Sequence, residues 1–147
     1  MEKLNCKSLM IGDWVIFHDS GYASDGTTWE EDRVCQIDRI DMDVRVKWYD
    51  EDGCLEDWHH VSTFCLSPIP LTPEILEKNG FKKDEKLEEM YYWNWGIGNN
   101  CVSYDKETGI VRIFHVFGYL VFVLPLSYVH ELQHALKLCG IEKEIEL

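Results

Sequence analysis

Apolar and polar positions alternate along the first part of the chain and change character after residue 70. Asp13 to Phe17, which follows Gly12, and then Arg33 to Ile40 and Val44 to Tyr49 read as β-strands. In the last of these Val44, Val46 and Trp48 share one face, and Arg45, Lys47 and Tyr49 the other. The polar, Gly-containing run from His18 to about Glu31 predicts a loop. Asp50-Glu51-Asp52-Gly53 predicts a hairpin turn, after which Leu55 to Val61 returns as a strand. Four or five short strands over about 60 residues are too few for a sandwich, and a small bent barrel buries one face with the fewest exposed edges. An SH3-like β-barrel is therefore expected over residues 1–70.

Ser67-Pro68-Ile69-Pro70 interrupts the alternation and marks a boundary near residue 70. Thr72-Pro73-Glu74 supplies an N-cap, a proline at the first helical position and an early acid, and Asn79-Gly80 ends that short helix. Lys82 to Glu89 reads as a charged connector. Met90 to Ile97, Val102 to Asp105, Ile110 to Val116 and Tyr119 to Leu124 predict a four-stranded meander, with turns at Gly98-Asn99-Asn100, Lys106 to Gly109 and Phe117-Gly118. Tyr119 to Leu124 is continuously apolar, the mark of a central strand covered on both faces. Ser127 is expected to cap a final helix that Gly140 stops, and the tail IEKEIEL to add an edge strand or fray. The whole is an α+β chain. A barrel is followed, over residues 71–147, by a small α-β-meander-α unit that packs its last helix on a sheet.

Composition narrows the functions open to such a chain. An apolar fraction of 46% and 19 aromatic residues among 147 suffice for a core. The net charge of −13 lacks the basic face that nucleic-acid binding requires. Residues 1–70 hold 15 acids and 6 bases, net −9, and residues 71–147 hold 12 and 8, net −4. The N-terminus lacks the apolar core of a signal peptide, and Ile110 to Leu126 carries Arg112 and His115 and is too short to span a bilayer. A cytoplasmic location without membrane attachment is expected. In that compartment the six cysteines, with no CxxC pair, read as reduced and mostly buried.

Two segments, IPLTPEILEKNGF from Ile69 to Phe81 and YVHELQHALKLCG from Tyr128 to Gly140, resemble short uncharacterised proteins of gut bacteria and their mobile elements and phages. The resemblance spans most of residues 10–145. It implies a barrel-like N-terminal region, a few strands and a terminal helix, but no established activity and no site residue. In that group the terminal helix often reads closer to HQLQN.

Several constellations bear on chemistry. HELQH, from His130 to His134, matches H-E-x-x-H, in which two histidines one helical turn apart bind zinc and the glutamate, here Glu131, acts as general base. A catalytic zinc needs a third protein ligand. The usual extension would place Gly at Lys137 and His at Gly140, so it is absent. On a helical wheel Tyr128, Val129, Leu132, Ala135, Leu136 and Cys139 form one apolar face, and His130, His134 and Lys137 lie opposite. The preferred reading is a solvated helix face, with no metal and no cofactor. Cys54, His59, His60 and Cys65 offer four zinc-ligand types, but neighbouring strand residues point to opposite faces and the spacing fits no common finger.

Trp14, Phe17, Trp29, Trp48, Tyr49 and Trp58 crowd the proposed barrel. An aromatic cage for a cation or a peptide groove is conceivable, but a small barrel must fill itself with such side chains. Trp29, in the predicted loop, is the exception that asks for a partner. Trp93 and Trp95 share a strand face as a stacking platform or as part of a packed sheet. The run Asp50-Glu51-Asp52 does not have calcium-loop spacing, and no Ser/His/Asp set can be assigned from sequence. The expected function is a non-enzymatic interaction or accessory module of a mobile element that binds another protein, through candidates Trp29, Tyr49, Trp58, Trp93 and Trp95. The alternatives are a zinc-dependent hydrolase using His130, Glu131 and His134, and an acidic inhibitor that imitates nucleic acid.

Overall fold

The computed structural model describes residues 4, 9–40, 44–50, 52–96, 100–115 and 119–147. The chain divides into two compact units, Met1–Ile69 and Pro70–Leu147, each built on a five-stranded antiparallel sheet. With two short α-helices added, the class is α+β.

In the first unit β1 (Trp14–Tyr22), β2 (Thr28–Ile40), β3 (Val44–Tyr49), β4 (Leu55–Val61) and β5 (Leu66–Pro68) lie in the order β4-β3-β2-β1-β5. A 3-10 turn over Thr63–Cys65 precedes β5. The sheet is open, with β4 and β5 as its edges. Its alternation is the one read from sequence. Val15, Phe17, Cys35, Ile37, Val44, Val46, Trp48 and Val61 are buried on one face. The predicted loop from His18 to Glu31 is corrected. β1 and β2 run on through it as a long hairpin, pairing His18 with Asp32 and Gly21 with Trp29, so Trp29 is a strand residue. Only Ala23 to Thr27 turns, held by Thr27 N–H donating to Asp25 (2.9 Å) and by Gly26 at φ 84°. Ladder hydrogen bonds satisfy the backbone wherever two strands run side by side, so a polar sequence does not prevent pairing.

In the second unit α1 (Pro73–Lys78) precedes β6 (Lys82–Lys83), β7 (Met90–Asn94), β8 (Cys101–Asp105), β9 (Ile110–His115) and β10 (Tyr119–Pro125), in the order β10-β9-β8-β7-β6. α2 (Val129–Leu138) follows. The meander is as expected, enlarged by β6, which lies within the predicted connector. The turns predicted around residues 98 and 117 fall outside the described residues, except for Asn100. Thr72 caps α1 by accepting from Ile75 N–H at 3.4 Å, and Gly80 follows at φ 80°.

Three expectations for this unit are overturned. β10 is an edge rather than a central strand, and Tyr119, Leu120, Val121, Val123 and Leu124 are exposed. Apolar continuity reports what a strand can bury, not its position in the sheet order. Ser127 is not the cap of α2. Tyr128 is the N-cap residue, and the Glu131 carboxylate accepts from the Ser127 and Tyr128 N–H groups at 2.7 and 3.1 Å. The tail neither adds a strand nor frays. Ile141 and Ile145 are buried, and Asn79 exchanges two side-chain hydrogen bonds with the Glu146 backbone, at 2.7 and 2.8 Å.

Among the described cysteines Cys35 is buried, Cys54 exposed, and Cys65, Cys101 and Cys139 lie between, all as free thiols. The expectation of mostly buried thiols therefore holds at Cys35, where burial pushes the thiol pKa up to about 11. No helix among the described residues is long and apolar enough to cross a membrane.

Candidate functional site

The HELQH segment is helical, as its spacing predicts, but of the expected solvated face Lys137 is exposed, His134 half-buried and His130 buried. His130 is 3% exposed and Gln133 is also buried, together with Val129, Leu132, Ala135 and Leu136. Burial therefore wraps most of the helix, whereas the helical wheel assumed a single interface. The His130 ring stacks on Tyr128, with centroids 5.9 Å apart and planes at 11°, and meets the edge of the His134 ring at 5.7 Å. Glu131 serves the helix N-terminus, where its carboxylate accepts two backbone N–H groups. A general base would have to give up those bonds. Among the described residues no group of three or more His, Cys, Asp or Glu side chains converges to hold a metal, either here or around Cys54, His59, His60 and Cys65. His59 and His60 stand on opposite faces of β4. His59 pairs with Val46 and lies beside the Trp48 ring at 5.2 Å, while His60 pairs with Arg45 and meets the edge of Trp58 at 5.7 Å.

A second constellation was hidden in the sequence. His18 Nδ1 lies 2.5 Å from Asp32 Oδ1, and His18 Nε2 lies 2.7 Å from Ser67 Oγ. The connectivity is that of a Ser-His-Asp triad, made by strand pairing: β1 brings His18 opposite Asp32, and β5 brings Ser67 opposite Ile16. The environment is the reverse of a nucleophilic site. Ser67 is 8% exposed, whereas the Asp32 side chain is 69% exposed, so the hydroxyl is withdrawn and the orienting carboxylate is in water. The set instead ties the short edge strand β5 to both strands of the hairpin. Only the pairing register could have revealed it, since 14 residues separate His18 from Asp32 and 49 separate it from Ser67.

The aromatic candidates separate into two groups. Phe17 and Trp48 are core and stacked, with Arg33 Cζ 4.9 Å from the Trp48 ring. Tyr49 and Trp58 lie on the other face of the sheet and are exposed. Each already carries a cation from its own chain, Lys47 at 5.6 Å over Tyr49 and Arg45 at 5.3 Å over Trp58. Asp38 anchors both cations, accepting from Arg45 Nε at 2.6 Å and lying 3.7 Å from Lys47 Nζ. Those faces are therefore not an open cage for an external ammonium, but a flat patch of aromatic edges and apolar stems. Leu55, opposite Tyr49, extends the patch along β4. Trp29 is exposed at the far end of the hairpin, beside a shallow hollow lined by Ser20, Tyr22, Thr28 and Glu30. Its indole lies over Gly21, where a Cβ would come within 2.8 Å of the ring.

In the second unit Trp93 and Trp95 stack at 5.4 Å and 11°. Phe81 and Lys143 Nζ lie 6.1 and 4.8 Å from Trp93, so this pair is built into its own surroundings and is half-buried.

Asp25, Asp50, Asp84 and Asp105 each accept backbone N–H groups within a turn. Hydrogen bonds from the Thr27 side chain, the Lys86 backbone and the Thr108 side chain, respectively, hold the carboxyls of Asp25, Asp84 and Asp105 below the usual range. Glu31 and Asp38 sit in ion pairs with Arg33 and Arg45, and Asp32 is hydrogen-bonded to His18. The chain matches no protein-family model, no curated protein and no solved structure.

Proposed function

We propose that the chain is a non-enzymatic protein-interaction module, working without a cofactor, and that its first unit binds an extended segment of another protein along β4. The observation that carries this reading is the exposure of β4. Six consecutive residues, Leu55 to His60, are open to solvent on an edge whose outer hydrogen-bonding groups no neighbouring strand takes up among the described residues. Trp58, 49% exposed, stands beside Leu55 and Tyr49 as an apolar anchor. An added strand gains affinity from main-chain bonds and selectivity from side chains seated on that patch.

The strand order β4-β3-β2-β1-β5, with a 3-10 turn before β5, supports an SH3-like reading of the unit. The resemblance to proteins of mobile elements fits an accessory role in such an element. Selecting a displayed random-peptide library against the whole protein tests the reading. Enriched peptides should lose at least ~10-fold in affinity to Trp58→Ala and Leu55→Lys and keep it for Trp93→Ala. Peptides that bind the Trp58→Ala protein equally well, or no enrichment, would sink it.

A further inference from the structure

We infer that β10 is a self-association surface, and that two copies of the chain pair β10 against β10 in antiparallel fashion to join their five-stranded sheets. The inference rests on the second unit alone and is independent of the β4 reading.

β10, YLVFVLP, is the edge of its sheet and carries no charged residue. Tyr119 is 72% exposed and Leu124 50%, with Leu120, Val121 and Val123 between them in the same condition. The apolar interior reaches this edge without a cover. Phe122 pairs with Ile113 and Leu124 with Val111; both β9 partners are fully buried, while Phe122 is half-buried and Leu124 exposed. An added strand would continue the sheet over that rim. Natural edge strands are usually blunted by charge, proline or a bulge. Here only Pro125 at the end and the irregularity at Val121 do so.

Two physical arguments select a second copy as the occupant. First, the chain has a net charge of −13, so two copies repel over most of their surfaces. A strand free of charge is where they can meet without placing like charges together. Second, antiparallel pairing of identical strands has two-fold symmetry, so such a strand is its own complement. The pairing also closes on itself, because β9 occupies the other side of β10, and it yields a dimer rather than a fibre. Edge pairing covers the rim of β10 and only part of its exposed side chains, so the contact is smaller than a standard specific interface of roughly 1,600 Å². Weak, reversible association is expected of a contact of that size.

Sedimentation equilibrium of the full chain, together with hydrogen exchange at low and high concentration, tests this. A reversible monomer–dimer equilibrium is expected, with Kd of roughly 1–100 µM. The amides that exchange more slowly at high concentration should be those of residues 119–125. Val123→Glu should raise Kd at least ~10-fold, because it would set a carboxylate from each copy close to the two-fold axis. That carboxylate would also face Arg112 within its own sheet, which favours the fold. Leu120→Lys is the second variant and should act likewise. A monomer at all concentrations up to about 500 µM would overturn the inference, on the micromolar expectation above. So would a dimer unchanged in both variants, or added protection confined to other segments.

Discussion

The two sheets each leave an edge strand in solvent, β4 in the first unit and β10 in the second, and the edges differ in charge. β4 presents Glu56, Asp57, His59 and His60 among Leu55 and Trp58, and its register shifts at Glu56. β10 presents seven residues without charge. Both have main-chain groups that could pair with another strand, so exposure alone does not separate them. Charge does. A strand carrying Glu56 and Asp57 opposes its own copy by like charge, whereas an uncharged strand has no such opposition. We propose on this ground that the first sheet takes a different partner and the second a second copy.

The largest effect that bears on this contrast lies under β10. Ile113→Ala removes a fully buried side chain whose strand partner is Phe122, and should cost about 2–5 kcal/mol in urea denaturation. It should also speed amide exchange in residues 119–125. Val46→Ala, at the matching place beside β4, should leave exchange in β10 unchanged. Equal acceleration of β10 by both changes would show that the edge does not rest on the core beneath it.

The other edge of the first sheet, β5, is the control. His18→Ala removes the tie from β5 to the hairpin and should cost about 1–3 kcal/mol, with exchange rising first in residues 66–68. Ser67→Ala should reproduce most of that loss and leave hydrolysis of an activated ester at the background rate; a rate above background in wild type that Ser67→Ala abolishes would make the set catalytic. A smaller effect reverses the contrast itself. Glu56→Thr with Asp57→Thr strips the charge from β4 and should create weak self-association through it, with Kd of roughly 100 µM or above. It should be visible in sedimentation on a Val123→Glu background. A monomer at about 500 µM in that triple variant would mean that charge is not what keeps β4 apart.

How far the sequence discloses this depends on the range of the interactions. The alternation Val44-Val46-Trp48, the N-cap Thr72 and the turns at Gly53 and Gly109 are local, and they are found where pattern and backbone chemistry place them. His18, Asp32 and Ser67 meet only through register, and His130 is buried by packing that a wheel of one helix does not contain. β10 was misplaced because an apolar run looks the same whether it is central or left at an edge. Glu131 was legible as an acid in a first turn, and that setting argued for a capping role as strongly as the flanking histidines argued for zinc.

The smallest effect concerns the cations on the β4 patch, and its sign follows from Asp38. The Arg45 guanidinium, hydrogen-bonded to Asp38 and aided by Lys47, lowers the Asp38 pKa from its ordinary value of 3.8. A carboxyl whose folded value is depressed contributes stability that is present in full above the unfolded value and is lost as the pH falls through the folded one. Wild type should therefore lose more stability between neutral pH and pH ~2.5 than Asp38→Asn does. The Asp38 side chain is 26% exposed, so the difference should be modest, about 0.5–1 kcal/mol. Arg45 and Lys47 stack on Trp58 and Tyr49, so releasing them should also change Trp58 fluorescence over the same acid range, and Asp38→Asn should remove that step. If the step persists in Asp38→Asn, the cations are held by the rings themselves, and the proposed β4 surface does not depend on Asp38.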